Sequence, residues 1–485
     1  MYLLPKLNQI KKKTQTIATF RGLNERKSIA DGEFSDCCNI SLEEYPAVSV
    51  MDGYEQYGDA VEAMGQYRVR AKKNVMILEK ELGDQLTITA TIIKQSNSSA
   101  TTSQITIYSG NIGEFILSDF DIYNDTLVVF CYLYEAEEMY TRQLIVYENP
   151  NKEIDVNNFV INNPGSVVSL MAFGSRLIIL DGTSIHISYD NDITEEKWET
   201  YSVNGETNAM CAQAIQLLDD GDFTCGVNYR DYPIFFKKNS MYMLLGEYNP
   251  FSLTRIDSVG CPYPDSVAIC NGKLYFLSDL GVMEYDGGTP ELISQNIKLN
   301  NFSPATQSNN AYSYHQQYAF SDNRYYYIGE YIYDTYTKAW SKQKIGDNYI
   351  YPQCFFNNDR YLKTVEYSNI PGENSYSIVS LFRSSDTALS DWYFTTKQFH
   401  EYQEGKKIIS KLVIGFEKID TTALKIEISL DKGIFKTVYS WNGTTDFVKE
   451  VPVLLPPCDY FQVKVSGTGK TIVHYIKREF RVLGA

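Results

Sequence analysis

The stretch Gly272 to Asp286, GKLYFLSDLGVMEYD, decides the fold. It opens on a Gly, runs through an apolar strand and turns at Ser278-Asp279. It then re-enters a second strand and closes on Tyr-Asp. The same build recurs outward along the chain. Asp125 to Tyr134 reads DTLVVFCYLY, Ser175 to Tyr189 reads SRLIILDGTSIHISY, and Tyr232 to Leu245 reads YPIFFKKNSMYMLL. Asn323 to Tyr333 reads NRYYYIGEYIY and Asp359 to Tyr367 reads DRYLKTVEY. Taking Leu127, Leu177, Ile234, Leu274, Tyr325 and Tyr361 as equivalents gives steps of 50, 57, 40, 51 and 36 residues. A four-stranded propeller blade takes roughly 40–50 residues. Radial repetition also leaves few open strand edges. The reading is an all-β chain built on a β-propeller of six or seven blades, residues 65–115 supplying a further blade or the closing strands. Leu86 to Lys94, LTITATIIK, alternates as a strand should. A stack of β-sandwiches is the alternative.

Composition agrees. Tyr 39 and Phe 24 are abundant, and both residues favour pleated surfaces. Asp31-Gly32, Asp52-Gly53, Asp181-Gly182, Asn204-Gly205, Asp220-Gly221, Asn271-Gly272, Asp286-Gly287 and Asn442-Gly443 mark hairpin turns. Helical spacing is confined to Asp59 to Arg70 and to Met210 to Leu218, two short candidates.

Three regions follow: an extended N-terminal arm over 1–60 that packs on a neighbouring subunit, a propeller over 61–400, and a small β-sandwich over 401–485. In the last, Leu424, Ile426, Ile428 and Leu430 alternate with Lys425, Glu427 and Ser429, giving one buried and one wet face. Residues 401–485 hold 13 Lys+Arg and 10 Asp+Glu, a net of about +3 against about −19 for the rest. The formal net charge of −16 argues against a free nucleic-acid binder, whose affinity comes from neutralising phosphates.

No constellation of catalytic residues is evident. His186, His315, His400 and His474 lie far apart, and no Walker loop, GxSxG or HExxH is present. Ser429-Leu430-Asp431-Lys432-Gly433 resembles a sialidase Asp-box, but a hairpin turn explains it. Two acidic groups, Glu135, Glu137, Glu138 and Asp219, Asp220, Asp222, read as solvated loops, with a calcium loop or an acidic lumen as sharper readings. Exposed tyrosines around Tyr325-Tyr326-Tyr327 and Tyr331 are candidates to stack on sugars, with cross-strand packing the plainer reading. The nine cysteines show no metal-ligand spacing and read as buried thiols of a reducing cytoplasm. No cofactor or metal and no membrane insertion are expected, and the chain is expected to be non-enzymatic.

Two segments carry a resemblance. Phe20-Arg21-Gly22-Leu23-Asn24, then Ile29-Ala30-Asp31-Gly32-Glu33-Phe34-Ser35-Asp36, Asn39 and Tyr45-Pro46, resembles the N-terminus of phage and prophage structural proteins. Pro457-Cys458-Asp459-Tyr460-Phe461 and Lys477-Arg478-Glu479-Phe480 resemble the C-terminal unit of the same family. That family is similar in layout to the tail nozzle, tail hub and DNA-stabilisation proteins of short-tailed phages. The resemblance implies a homo-oligomeric ring in the virion tail, assembled in a bacterial host cytoplasm. Its partners would be other copies of itself, portal and adaptor, other tail proteins, and genomic DNA sliding through the lumen. Phe20, Arg21, Asn24, Phe34 and Tyr45 would be oligomer contacts. The implied function is to close the capsid exit, retain packaged DNA and conduct it during ejection. The alternatives are a receptor- or glycan-binding propeller and a glycoside hydrolase, which would need paired carboxylates at the axis.

Overall fold

The structure is a computed structural model. It describes residues 12–51, 53–62, 66–96, 99–135, 139–149, 152–158, 167–299, 319–345, 349–366, 375–381, 391–400, 405–442 and 448–483. Asp52, Glu137, Glu138, His315 and Gly443 lie outside these residues.

Seven four-stranded antiparallel sheets follow one another along the chain. Each is a propeller blade. Blades one to six run over residues 66–111, 115–158, 167–216, 223–257, 268–292 and 319–342. Blade seven takes Tyr349–Phe356, Asp359–Glu366 and Ser375–Leu381, then borrows its outer strand, Glu55–Glu62, from the N-terminal side. This borrowed strand closes the ring, because the chain runs from it directly into the inner strand of blade one, Gln66–Lys72. The repeat anchors Leu127, Leu177, Ile234, Leu274, Tyr325 and Tyr361 each fall in the second strand of successive blades.

Apolar clusters fill the seams between neighbouring blades, and the one at blades five and six is continuous with the core of the C-terminal sheet. Val75, Ile77, Phe120 and Val129 join blades one and two, and Val128, Phe130, Leu170 and Leu177 join two and three. The later seams are filled by Ile178, Phe235 and Leu244, and then by Ile234, Phe236, Leu274 and Phe276. Val69 and Met76 meet Cys354 and Phe356 where blade seven returns to blade one. The Tyr-rich composition is used here: Tyr275 stacks on Tyr326 at 5.3 Å across the seam of blades five and six.

The turns explain the pattern of Asn and Asp. Asn271 and Gly272 take φ of +48° and +71° between the paired residues Cys270 and Lys273. Asn124-Asp125, Arg230-Asp231 and Asn357-Asn358 make the same two-residue left-handed turn in blades two, four and seven. This geometry matches the strand twist. Neither helical candidate forms. Strands stand there instead: Glu55–Glu62 and Gln66–Lys72 over the first, and Gln213–Gln216 flanked by irregular chain in the second. In the first, Arg68, Arg70 and Lys72 alternate with Val69 and Ala71, and this period of two, satisfied by pairing with Val75–Leu82, prevails over the spacing of three.

The C-terminal sandwich is made from one continuous eight-stranded sheet. Lys406–Leu430 and Phe461–Leu483 pair along almost their whole length, with bulges between Gly415 and Ala423. Bulges bend strands and let one sheet fold over its own core. Leu412, Ile414, Ile426, Ile428, Val463, Val465 and Ile476 all belong to a single cluster.

The N-terminal segment is extended but lies on the chain's own sheet. Lys13–Ile17 pairs with the C-terminal strand, Glu33–Cys38 pairs with Asp391–Thr396, and Gly22–Leu23 runs parallel to Glu33 and Phe34. The expected boundaries at 60 and 400 therefore cut through paired units. Glu55–Glu62 belongs to the propeller, whereas Asp391–Thr396 belongs to the C-terminal sheet. All nine cysteines are buried. Among the described residues no helix is long and apolar enough to cross a membrane.

Candidate functional site

The inner strands all run in the same direction. Asp119, Asp121 and Tyr123 of blade two bond in step to Leu170, Ala172 and Ser175 of blade three. The first-to-second and third-to-fourth connections of every blade therefore emerge on one face.

That face carries the excursion over residues 188–212 in blade three. Its stem is clamped by the buried Arg176, whose guanidinium donates to Ser188 O at 2.6 Å, Cys211 O at 3.0 Å and Ala209 O at 2.5 Å. Trp198, at the end of the single turn of helix Glu195–Trp198, is buried and donates its indole N–H to Ile193 O at 3.0 Å. Asn204-Gly205 turns the chain with both φ positive, bridging Val203 and Glu206. Blade four braces the far side. Asn249 Nδ2 donates to Cys211 O and Ala212 O at 3.2 and 3.1 Å, and the amide of Gln213 exchanges two bonds with the Phe251 backbone.

On this clamped frame the aromatic rings face outward. Tyr201 is 46% exposed and Tyr248 59%. They flank one seam: Thr200 O accepts the Ala212 amide, and Ala212 O accepts from Asn249, next to Tyr248. Partial burial beside Glu199 raises the Tyr201 phenol above its ordinary value. Tyr232 and, on blade six, Tyr336 are exposed on the same face. Arg324 lies 5.3 Å from both the Tyr325 and Tyr336 rings. Asn204, Glu206 and Asn208 bring carbonyl and carboxylate oxygens to the same loop. Long loops held on a rigid scaffold are where binding groups gather. Flat rings beside hydrogen-bonding side chains suit a ligand with an apolar face and a hydroxylated rim, which is the chemistry of a pyranose.

The axis is organised differently. Arg68, Arg70 and Lys72 project from the inner strand of blade one. Arg70 donates to Glu79 at 2.6 Å and to Ser118 O at 3.0 Å. Lys72 reaches both oxygens of Asp119 at 2.7 Å and Leu170 O at 3.2 Å. Asp119 and Asp121 in turn accept the Leu170 and Ala172 amides, and Asn228 donates to Ala172 O. These side chains cover the open edge of blade three's inner strand. Glu79 and Asp119 are thus engaged by cations, and Asp265 stands 4.0 Å from Arg68.

The residues singled out by sequence fall mostly into structural roles. Phe20 and Phe34 are buried against Phe394, at ring separations of 5.9 and 4.8 Å, and cannot serve as contacts to another subunit. Asn24 is buried and donates to Glu33 at 2.8 Å and Ser28 O at 3.2 Å. Gly22 sits at φ +84°, where a Cβ would lie 2.7 Å from Trp340 O. Arg21 and Tyr45 alone of the five are exposed. Tyr325, Tyr326, Tyr327 and Tyr331 are buried, so the sugar-stacking expectation moves to other tyrosines. Asp219 is held below its ordinary value by the Tyr242 hydroxyl and Lys237, and Asp220 pairs with Arg255 at 3.2 Å. Asp431 accepts the amides of Asp459 and Tyr460, as a turn residue does. Burial lowers the His186 imidazole, and His474 lies 3.6 Å from Glu417. The clamped loop of blade three was missed. Its signal was the dense run of Asp, Asn and Thr between Tyr189 and Met210.

No protein-family model matches the sequence, and no curated protein matches it. Several solved structures align over most of the chain at low similarity. An exo-β-1,3-galactanase of Phanerochaete chrysosporium aligns with TM-score 0.29 and 9% identity, covering 89% of this chain and 99% of its own. A Trypanosoma rangeli sialidase aligns with TM-score 0.23 and 8% identity, over 97% and 96%. A tail fibre of Staphylococcus aureus phage P68 aligns with TM-score 0.21 and 9% identity, over 82% and 77%. At these values no activity is carried over. The neighbours are mainly glycoside hydrolases and sialidases. They correct two expectations. The reading as a ring that closes a capsid exit and conducts DNA is withdrawn, and so is the expectation that the chain is non-enzymatic.

Proposed function

We propose that this chain is a glycan-binding propeller that engages carbohydrate on the face carrying residues 188–212 and 246–251. The observation that supports the reading is the pair of exposed rings, Tyr201 and Tyr248, held over one seam by the Arg176 and Asn249 clamps. A loop backbone already clamped loses little conformational entropy when a sugar stacks on its rings. The neighbouring Asn204, Glu206 and Asn208 supply acceptors and donors for hydroxyls. The test is retention of the purified chain on an array of immobilised glycans, followed by a binding isotherm for the best ligand and chromatography for released sugars. The reading expects a saturable isotherm that Tyr201→Ala with Tyr248→Ala weakens at least tenfold. An empty array, or an isotherm unmoved by the double substitution, would sink it.

A further inference from the structure

Two guanidinium groups at the propeller axis are left short of partners. Arg68 and Arg70 sit two residues apart on the inner strand of blade one, so their side chains leave the same face. The Nε atoms of both are buried and have no hydrogen-bond partner. Arg70 satisfies its terminal nitrogens on Glu79, Ser118 O and Leu117 O. Arg68 does not: its side chain is only 13% exposed, and among the described residues its single ionic contact is Asp265 at the far distance of 4.0 Å.

Among the described residues the other carboxylates near Arg68 are already engaged, including Glu79, which lies opposite it on the neighbouring strand. Glu79 is held by Arg70, and Asp119 is filled by Lys72 and the amides of Leu170 and Phe120. A buried cation without a close counter-charge is costly, and unpaired buried donors in folded proteins mark a bound water or ion. Burial lowers the Arg68 pKa, as expected of a charge so placed. The planar fork of an arginine matches an oxyanion with two parallel bonds.

We propose that Arg68 and Arg70 hold a small oxyanion, a carboxylate or phosphate group, at the axis of the propeller. The site is independent of the loop-face reading, since it lies on the inner strand and uses none of the tyrosines. Its source is either a free anion or the acidic group of a sugar.

The test is the melting temperature of the full chain titrated with inorganic phosphate, with glucuronate and with glucose, at constant ionic strength. The inference expects a saturable rise with phosphate or glucuronate, none with glucose, and at least a tenfold weaker response in Arg68→Gln. A rise with phosphate alone assigns a free anion; a tighter response to glucuronate assigns an acidic sugar. Equal rises in wild type and Arg68→Gln, or no saturable rise in wild type, overturn the inference. Should Arg68→Gln fail to fold, Asp265→Asn decides. Removing the competing carboxylate should tighten phosphate several-fold, and an unchanged response overturns the proposal.

Discussion

Asp119 of blade two accepts the Leu170 amide of blade three at 2.7 Å, and the same carboxylate receives Lys72 of blade one at 2.7 Å. One side chain thus joins three blades at the axis. Removing it leaves an ammonium without its counter-charge and a strand-edge N–H without an acceptor. Asp119→Ala should therefore cost about 3 kcal/mol in urea unfolding. A loss below about 1 kcal/mol would show that the axis is held by the apolar seams alone.

The N-terminal motif offers a sharper contrast. Phe34 is buried among Phe20 and Phe394, so Phe34→Ala should cost about 3–5 kcal/mol. Tyr45 is exposed, and Tyr45→Ala should stay within about 0.5 kcal/mol. Comparable losses at the two positions in denaturation curves would contradict the packing.

Stability should fall on the alkaline side. Desolvation pushes the thiols of Cys38, Cys131 and Cys270 up to about 12 and that of Cys458 to about 11, from an ordinary 9.0. Burial also raises the phenols of Tyr325 and Tyr331. Above pH 9 the unfolded chain releases protons that the folded chain keeps. The unfolded state then binds fewer protons, and stability drops as pH rises. The urea midpoint should be lower at pH 10 than at pH 8. A thiol reagent at pH 8 should label these four cysteines only after unfolding; rapid labelling of the native chain would contradict their burial.

On the loop face, stacking by Tyr248 and bracing by Asn249 should separate in their effects on stability and on binding. Tyr248→Ala should leave the melting temperature nearly unchanged yet cost more than about 1 kcal/mol of glycan affinity, read from isotherms. Asn249→Ala removes the brace instead, and should weaken binding while also destabilising blade three's loop. Equal effects of the two changes on both readouts would mean that stacking and bracing are not separable.

Much of the architecture was legible because the second strand of each blade repeats as an apolar run bounded by turn residues. Leu127 through Tyr361 are equivalent for that reason. The closing strand Glu55–Glu62 was hidden, since its partner Ser375–Leu381 lies some three hundred residues away and no local pattern records a long-range pairing. Phe20 and Phe34 read as contacts because aromatic motifs look alike whether they pack on a neighbour or on Phe394. The turns at Arg230-Asp231 and Asn357-Asn358 escaped notice because they lack the glycine that marks Asn271-Gly272. The candidate site was the least legible part. Tyr201 and Tyr248 are distant in sequence and share a seam only through Ala212 and Asn249.

The most direct test of the glycan reading is hydrogen exchange of the chain with and without its best-retained glycan. The account predicts slowed exchange confined to residues 199–212 and 246–251. Protection elsewhere in the propeller, with these two segments unchanged, would contradict it.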